Sequence, residues 1–216
     1  MPVANNGLRI LIVDDHAVFR HGLKDILARH LPEVTFGETD GAQAALEAVW
    51  RQRWDIVILD VSMPGRSGVD VLQEIHHARP KLPVLILSMH PEEQYAIRVL
   101  EAGAAGYITK IRAAHELVEA VRKVLAGGKY VSPTVADALV NQLRPGARKS
   151  AHEKLSNREF QIMRLTVQGK ASKEIASTLS VSLQTVSTHR SRILKKLGLN
   201  TTAQLIRYAV QHKLAD

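Results

Sequence analysis

Ile56-Val57-Ile58-Leu59-Asp60-Val61-Ser62-Met63-Pro64-Gly65 is the stretch on which the reading of this chain turns. Its four opening apolar residues, rich in β-branched side chains, have the pattern of a strand buried on both faces, as in a parallel sheet covered by helices. Trp54 precedes the run, and Pro64 with Gly65 ends it, so the strand stops near Asp60. A carboxylate is left at the C-terminal edge, where open α/β sheets place their ligands. A loop-capping aspartate looks the same in isolation, so the neighbouring strands decide what it does.

Outward from that strand the same unit recurs. Leu8 to Val13 is a predicted strand ending on Asp14 and Asp15, and His16 to Leu31 a predicted helix with Phe19, Leu23 and Leu27 on one face. Val34 to Thr39 is a second strand, and Gly41 to Arg53 a helix with Ala45, Leu46, Val49 and Trp50 turned inward. After Asp60 come a helix over Val69 to Arg79, a strand over Leu82 to Ser88, a helix over Pro91 to Ala102, a strand over Gly106 to Thr109 and a helix over Ala113 to Leu125. Five strands alternating with five helices call for an α/β fold, a doubly wound parallel sheet joined by right-handed crossovers.

The polar residues at the C-terminal ends of these strands are Asp14 and Asp15, Asp60, Ser88 and Lys110. Each alone has an ordinary reading: helix cap, turn former, solvated surface charge. Together at successive strand ends they converge on one edge. Three carboxylates held together repel unless a hard cation sits among them, and carboxylates with water are what Mg²⁺ selects. A carboxylate nucleophile at Asp60, a metal, the Lys110 ammonium and the Ser88 hydroxyl make an aspartyl-phosphate site.

These residues carry a resemblance. VDDH (13 to 16), LDVSMPGRSG (59 to 68), LSMH (87 to 90) and AGAAGYITK (102 to 110) resemble the receiver domain of two-component response regulators, which is flavodoxin-like. The resemblance implies that Asp60 accepts phosphate from a cognate sensor histidine kinase. It implies Mg²⁺ on Asp15 and Asp60, with Asp14 assisting and the backbone carbonyl of Ser62 as a further ligand. Ser88 and Lys110 would contact the phosphoryl group, and Tyr107 would be the aromatic switch that turns inward when Ser88 moves.

At 216 residues the chain suggests two domains. It has no cysteine, which excludes a disulfide scaffold, a Cys-based zinc site and a thiol nucleophile, and fits a reducing cytoplasm. MPVANNGLR lacks the pattern of a signal peptide, and no apolar stretch approaches the roughly 20 residues that span a bilayer. A soluble cytoplasmic protein without a membrane partner is expected. The net charge of +8 is unevenly spread: residues 144 to 216 hold 14 Lys or Arg against 4 Asp or Glu, and the rest 15 against 17. So lopsided a C-terminal part fits a polyanion.

Past Leu125 the signals change. Gly127-Gly128 stops the last helix, a short helix runs from Ser132-Pro133 to Leu143, and residues 144 to 153 read as a brief flexible linker. Then come four helices: Ser156 to Gln168, opened by the capping pair Ser156 and Glu159; Ala171 to Leu179; Ser182 to Leu197, after a tight turn at Ser180-Val181; and Thr201 to His212. Two short helices about a tight turn make a helix-turn-helix. In the third helix Val186, His189, Ile193 and Leu197 form the predicted buried stripe, and Gln184, Ser187, Thr188, Ser191 and Lys195 a polar one roughly opposite. Lys170, Lys173, Arg190, Arg192 and Lys196 surround it, as a helix in a DNA major groove requires.

LSNRE (155 to 159) and GKASKEIASTLSVSLQTVSTHRSRILKKLGL (169 to 199) resemble the LuxR-type helix-turn-helix. The two halves together look like a response regulator of the NarL/FixJ class: receiver over 1–126, helix and linker over 127–152, and an all-α four-helix DNA-binding domain over 153–216. The resemblance implies that Ser187, Thr188 and Ser191 approach base edges, with Thr185 and Lys195 on phosphates and Arg192 beside them, and that the last helix pairs two effector domains in a homodimer formed on phosphorylation. Ser187 stands where many members carry Lys, so base preference does not transfer from relatives.

The expected role is a phosphorylation-dependent transcriptional regulator, not an enzyme. Two other classes compete. A metal-dependent phosphohydrolase would also use an Asp nucleophile, but Val61 and Ser62 follow Asp60 where it would need a second acid. A purely structural receiver has no use for buried, repelling carboxylates.

Overall fold

The structure is a computed structural model that describes residues 7–63, 66–142, 150–212 and 214. The chain gathers in the main into two compact units, one running to Ala138 and the other from Leu139 onward.

In the first unit five parallel strands, β1 (Arg9–Val13), β2 (Thr35–Thr39), β3 (Ile56–Asp60), β4 (Val84–Ser88) and β5 (Gly106–Thr109), stand in the order β2-β1-β3-β4-β5. Helices α1 (Ala17–His30), α2 (Ala42–Arg51), α3 (Gly68–Ala78), α4 (Glu92–Glu101) and α5 (Ala113–Leu125) alternate with them. β3 and β4 are buried at every position, as their unbroken apolar runs require, while β2 at the sheet edge is partly exposed. Alternation sorts the strand side chains. Ile10, Ile12, Ile56, Ile58, Leu85, Leu87 and Ile108 pack with Leu23 and Leu27 of α1 and Leu117, Val121 and Val124 of α5. The intervening residues take the opposite face. The direction of strand order reverses between β1 and β3, and the crevice at their C-terminal ends is where such sheets bind ligands.

Trp50, expected inward, is half exposed. Its place is taken by Trp54, buried with its ring where a Cβ on Gly37 would stand and its Nε1 donating to the Ala48 carbonyl at 3.0 Å. A hydrophobic residue on the last turn of a helix can fall off the stripe, and the tryptophan nearer the sheet fills the space.

After α5 the chain returns to the sheet. Tyr130 pairs with Gly106, its N–H donating to Ala105 and its carbonyl accepting from Tyr107. Ser132 donates its hydroxyl to Glu92 at the start of α4, and Glu92 also accepts from Arg112 at 3.2 Å. Helix α6 (Pro133–Gln142) follows, anchored by buried Val135.

The second unit is helical: α7 (Asn157–Val167), α8 (Ser172–Thr178), α9 (Leu183–Leu197) and α10 (Thr202–Gln211). Its core joins Phe160, Ile162 and Met163 to Ile175, Leu179, Val186, Ile193, Leu205 and Ala209. Ser156 and Glu159 form the expected capping box. The tight turn holds Ser180 at φ 52°, and Gly198 ends α9 at φ 67°. One expectation fails. Ala151 to Glu153, read above as the end of a flexible linker, fall in a 3₁₀ turn over Ala151–Lys154, closed by a capping box between Ser150 and Glu153. Ser150 and Glu153 stand three apart, the spacing that satisfies both orphan N–H groups, so the polar composition conceals a cap. The rest of that linker, 144–149, lies outside the described residues, as does Leu143, the expected end of the helix before it.

Candidate functional site

The acidic edge is assembled by alternation. Asp14 follows Ile10 and Ile12, Asp60 follows Ile56 and Ile58, and Lys110 follows Ile108, so all three continue the rows that face α1 and α5. Asp14 and Asp60 are 1% exposed and Lys110 9%. Lys110 Nζ stands 2.6 Å from Asp14 Oδ2 and 2.6 Å from Asp60 Oδ2. The Phe19 ring lies beneath the same ammonium, 4.7 Å away. Asp60 Oδ1 accepts the Ser62 N–H at 2.8 Å, which turns the chain away from β3.

Two carboxylates share one cation, and the charge balance shows it. Burial lifts Asp60 above the usual carboxylate range, and the Asp14 charge adds to this; Lys110 and the Ser62 N–H oppose them. Burial pulls Lys110 down, but the two carboxylates outweigh it and hold its proton more firmly than in a free lysine.

Asp15 points into the same crevice. One ligand atom each from Asp14, Asp15, His16 and Asp60 lie within 4.8 Å of one another. Asp15 Oδ1 is closed off from solvent and accepts no aligned hydrogen bond among the described residues. Clustered oxygen donors short of positive charge fit a hard divalent cation. The start of α3 packs tightly on the backbone at the end of β3: a Cβ on Gly68 would stand 2.4 Å from the Val61 Cα and 2.7 Å from the Asp60 carbonyl.

Ser88 and Tyr107 belong to the other parity, paired across β4 and β5 through Ile86↔Tyr107 and Ser88↔Thr109. Both are buried. Ser88 Oγ accepts the His90 N–H at 3.0 Å, and Tyr107 donates its hydroxyl to the His90 carbonyl at 2.7 Å. The backbone of one residue thus joins the two side chains. His90 itself stacks on Tyr95, ring centroids 4.5 Å apart. Sequence reasoning quoted His90 and His16 within motifs but gave neither a role; the only signal was their place beside the strand-end residues.

In the helical unit, Gln184, Ser187, Thr188, Ser191, Arg192 and Lys195 are all exposed on α9, and Thr185 is half-buried. Val186, Ile193 and Leu197 are buried opposite them. His189 is only partly buried, its Nδ1 enclosed with no hydrogen-bond partner among the described residues, and desolvation lowers its pKa. Ser182 caps α9 by accepting the Thr185 N–H at 3.0 Å. The basic surroundings are thinner than the sequence suggests. Arg190 donates to Ser172 at 2.9 Å and Thr202 at 2.7 Å, and Lys196 to Glu159 at 2.6 Å, so both are committed within the domain. Lys170, Lys173, Arg192 and Lys195 remain on the surface.

Comparison with known proteins agrees with this division. Residues 10–122 match the response regulator receiver domain, and residues 153–209 match the bacterial regulatory proteins of the luxR family. The transcriptional regulatory protein MctR of Rhizobium johnstonii is 37% identical over 209 residues, covering 97% of this chain and 96% of its own. Among solved structures, the RcsB response regulator of Salmonella typhimurium aligns over 95% of this chain and 98% of its own, at 25% identity and a TM-score of 0.57. An RcsB–DNA complex does so over the same shares, at 26% identity and a TM-score of 0.57. With a receiver at one end and a luxR-family domain at the other, the chain belongs to the response regulators of the NarL/FixJ type.

Proposed function

We propose that the protein is a cytoplasmic transcriptional regulator that accepts phosphate on Asp60 and binds DNA through α9. The observation that carries this is the buried trio of Asp14, Asp60 and Lys110 at the strand edge, in the same chain as an exposed hydroxyl-rich helix face. In this division residues 1–126 do the phosphoryl chemistry, 127–152 connect, and 153–216 read DNA. No substrate is turned over; the chain reacts only with its own phosphate.

Asp14, Asp15, Asp60 and the Ser62 carbonyl would hold Mg²⁺, which when bound neutralises phosphoryl oxygens. Asp60 is the nucleophile, Lys110 exchanges its contact with Asp60 for the arriving phosphoryl group, and Ser88 supplies a hydroxyl donor. Drawing Ser88 toward the phosphate pulls on the His90 peptide, and through it on the Tyr107 hydroxyl. Tyr107 is buried with its hydroxyl on the His90 carbonyl, and its part in switching is to hold or release this bond.

A sensor histidine kinase is the expected donor. Val18, Met89 and Ile111 are 88%, 59% and 77% exposed around an apolar groove of about 650 Å³ that also reaches Phe19 and Lys110. An apolar helix face docked there would bring a phosphohistidine to Asp60. On α9, Ser187, Thr188 and Ser191 would meet base edges, helped by Gln184, with Thr185, Arg192 and Lys195 on phosphates. Ile206 and Val210 of α10 face outward while Leu205 and Ala209 pack inward, so this helix has an apolar stripe for a second copy.

The test is incubation with Mg²⁺ and acetyl phosphate, followed by intact mass and solution size. One phosphoryl group gained by the wild type and absent from Asp60→Asn, with a shift toward dimer, is the expected outcome. A folded protein without the adduct would refute the reading.

A further inference from the structure

We propose that Glu92 is a positioning residue that latches the head of α6 to the start of α4, and that phosphate on Asp60 opens this latch and loosens α6. The inference rests on reading Asp60 as the phosphate acceptor.

One hydroxyl has two partners at the head of α6. Ser132 donates to Glu92 Oε2, and its oxygen accepts the Val135 N–H at 3.3 Å in the manner of an N-cap. A hydroxyl that donates to a carboxylate is polarised into a better acceptor, so latch and cap strengthen each other. Glu92 and Ser132 are both buried, and Arg112 completes the cluster 3.2 Å from Glu92 Oε1 while also pairing with Glu116. The helix has little else to hold it. Among its described residues Val135 alone is buried, and Val140 is exposed. A helix of 10 residues so thinly packed depends on its cap.

Glu92 lies two residues beyond the backbone that joins Ser88 to Tyr107. The His90 N–H donates to the first and its carbonyl accepts from the second. Pro91 stands between His90 and Glu92 at φ −57° and ψ 144°. Its ring fixes φ, so a shift of the His90 peptide is not absorbed by rotation there and reaches the first residue of α4. When Ser88 is drawn to the phosphoryl group the His90 peptide is pulled with it, and the Glu92 carboxylate leaves Ser132. Arg112 keeps Glu116 as Glu92 withdraws. Ser132 is left a weaker cap, and the first turn of α6 frays.

Hydrogen exchange on the full-length protein, with and without Mg²⁺ and acetyl phosphate, reads the α6 amides, and intact mass reports the Asp60 adduct in the same samples. In the wild type, phosphorylation is expected to speed exchange at Val135 to Ala138 roughly tenfold, the effect of losing one charge-assisted hydrogen bond. Glu92→Ala leaves the Ser132 hydroxyl in place and removes its partner, so it should exchange at the fast rate without phosphate and gain nothing from it. Glu92→Gln keeps an oxygen acceptor for Ser132 and should restore the dependence on phosphate. Unchanged α6 exchange in fully phosphorylated wild type overturns the latch whatever the variants do, and so does a phosphate response that survives in folded Glu92→Ala; both leave Asp60 standing as the acceptor. A folded wild type that takes no phosphate overturns the acceptor reading, and the proposal with it.

Discussion

Removing the Lys110 ammonium would leave Asp14 and Asp60 facing each other in a buried crevice without the cation that bridges them. Breaking a buried ion pair from one side typically costs about 3 kcal/mol, and Lys110→Ala should lose that much in urea unfolding at neutral pH. The sign with pH is fixed by Asp60. Its folded-state value lies above the usual one, so the folded chain holds that proton more tightly than the unfolded chain, and stability is lost as pH rises through the raised value. With Lys110 gone the rise steepens, so the deficit of the variant should be larger at pH 8 than at pH 5. Glu159 has the opposite sign. Burial raises its pKa, but the Lys196 bond at 2.6 Å and the Ser156 N–H outweigh it, and the net value is lowered. The stability it supplies is present above the ordinary glutamate range and disappears as pH falls through the depressed value. Glu159→Gln keeps the capping geometry and removes the charge. Because Lys196 is partly exposed, the loss should be about 1 kcal/mol at pH 7, vanishing in acid denaturation curves once the pH falls below the depressed value.

At the scale of elements, strand parity divides the labour. Asp14, Asp60 and Lys110 lie in the rows that face α1 and α5, whereas Ser88 and Tyr107 lie in the rows of the other face. The His90 backbone bridges Ser88 and Tyr107. The alternation of strands and helices, and the acids at strand ends, were legible because period and punctuation are local properties of sequence. The bridging backbone was not, since a main-chain N–H and carbonyl leave no residue signature. Nor was the disposition of Arg190 and Lys196: a cation reads as solvated until the acceptors that claim it, Ser172, Thr202 and Glu159, are brought near by folding. Trp50 and Trp54 show the same limit, since either satisfies the apolar pattern and only packing against Gly37 decides. On α9 the surviving polar face gives two separable outcomes. Alanine at Arg192 or Lys195 should weaken DNA binding uniformly across sequences and lower the salt slope by about one unit each. Alanine at Ser187 or Ser191 should change discrimination between sites while leaving that slope intact. Titration over a range of salt distinguishes them.

For the whole molecule, the groove ringed by Val18, Met89 and Ile111 separates two routes to the same phosphorylated state. Ile111→Asp should slow phosphoryl transfer from a protein donor by an order of magnitude, about 1.4 kcal/mol. Labelling by acetyl phosphate, which needs no docking surface, should be unaffected. Comparing the two rates in one preparation checks the prediction. The 3₁₀ turn over Ala151–Lys154 has a practical corollary. The His152 N–H and ring reach the Tyr208 hydroxyl at 3.2 and 3.1 Å, the Tyr208 and His212 rings lie tilted against each other with centroids 4.2 Å apart, and Lys196 reaches back to the Lys154 carbonyl. A fragment beginning at Ser150 would carry its own clasp. A fragment trimmed to Leu155 would retain all four helices yet lose the strap across the last two, and so should melt earlier although no residue of the recognition helix has been touched.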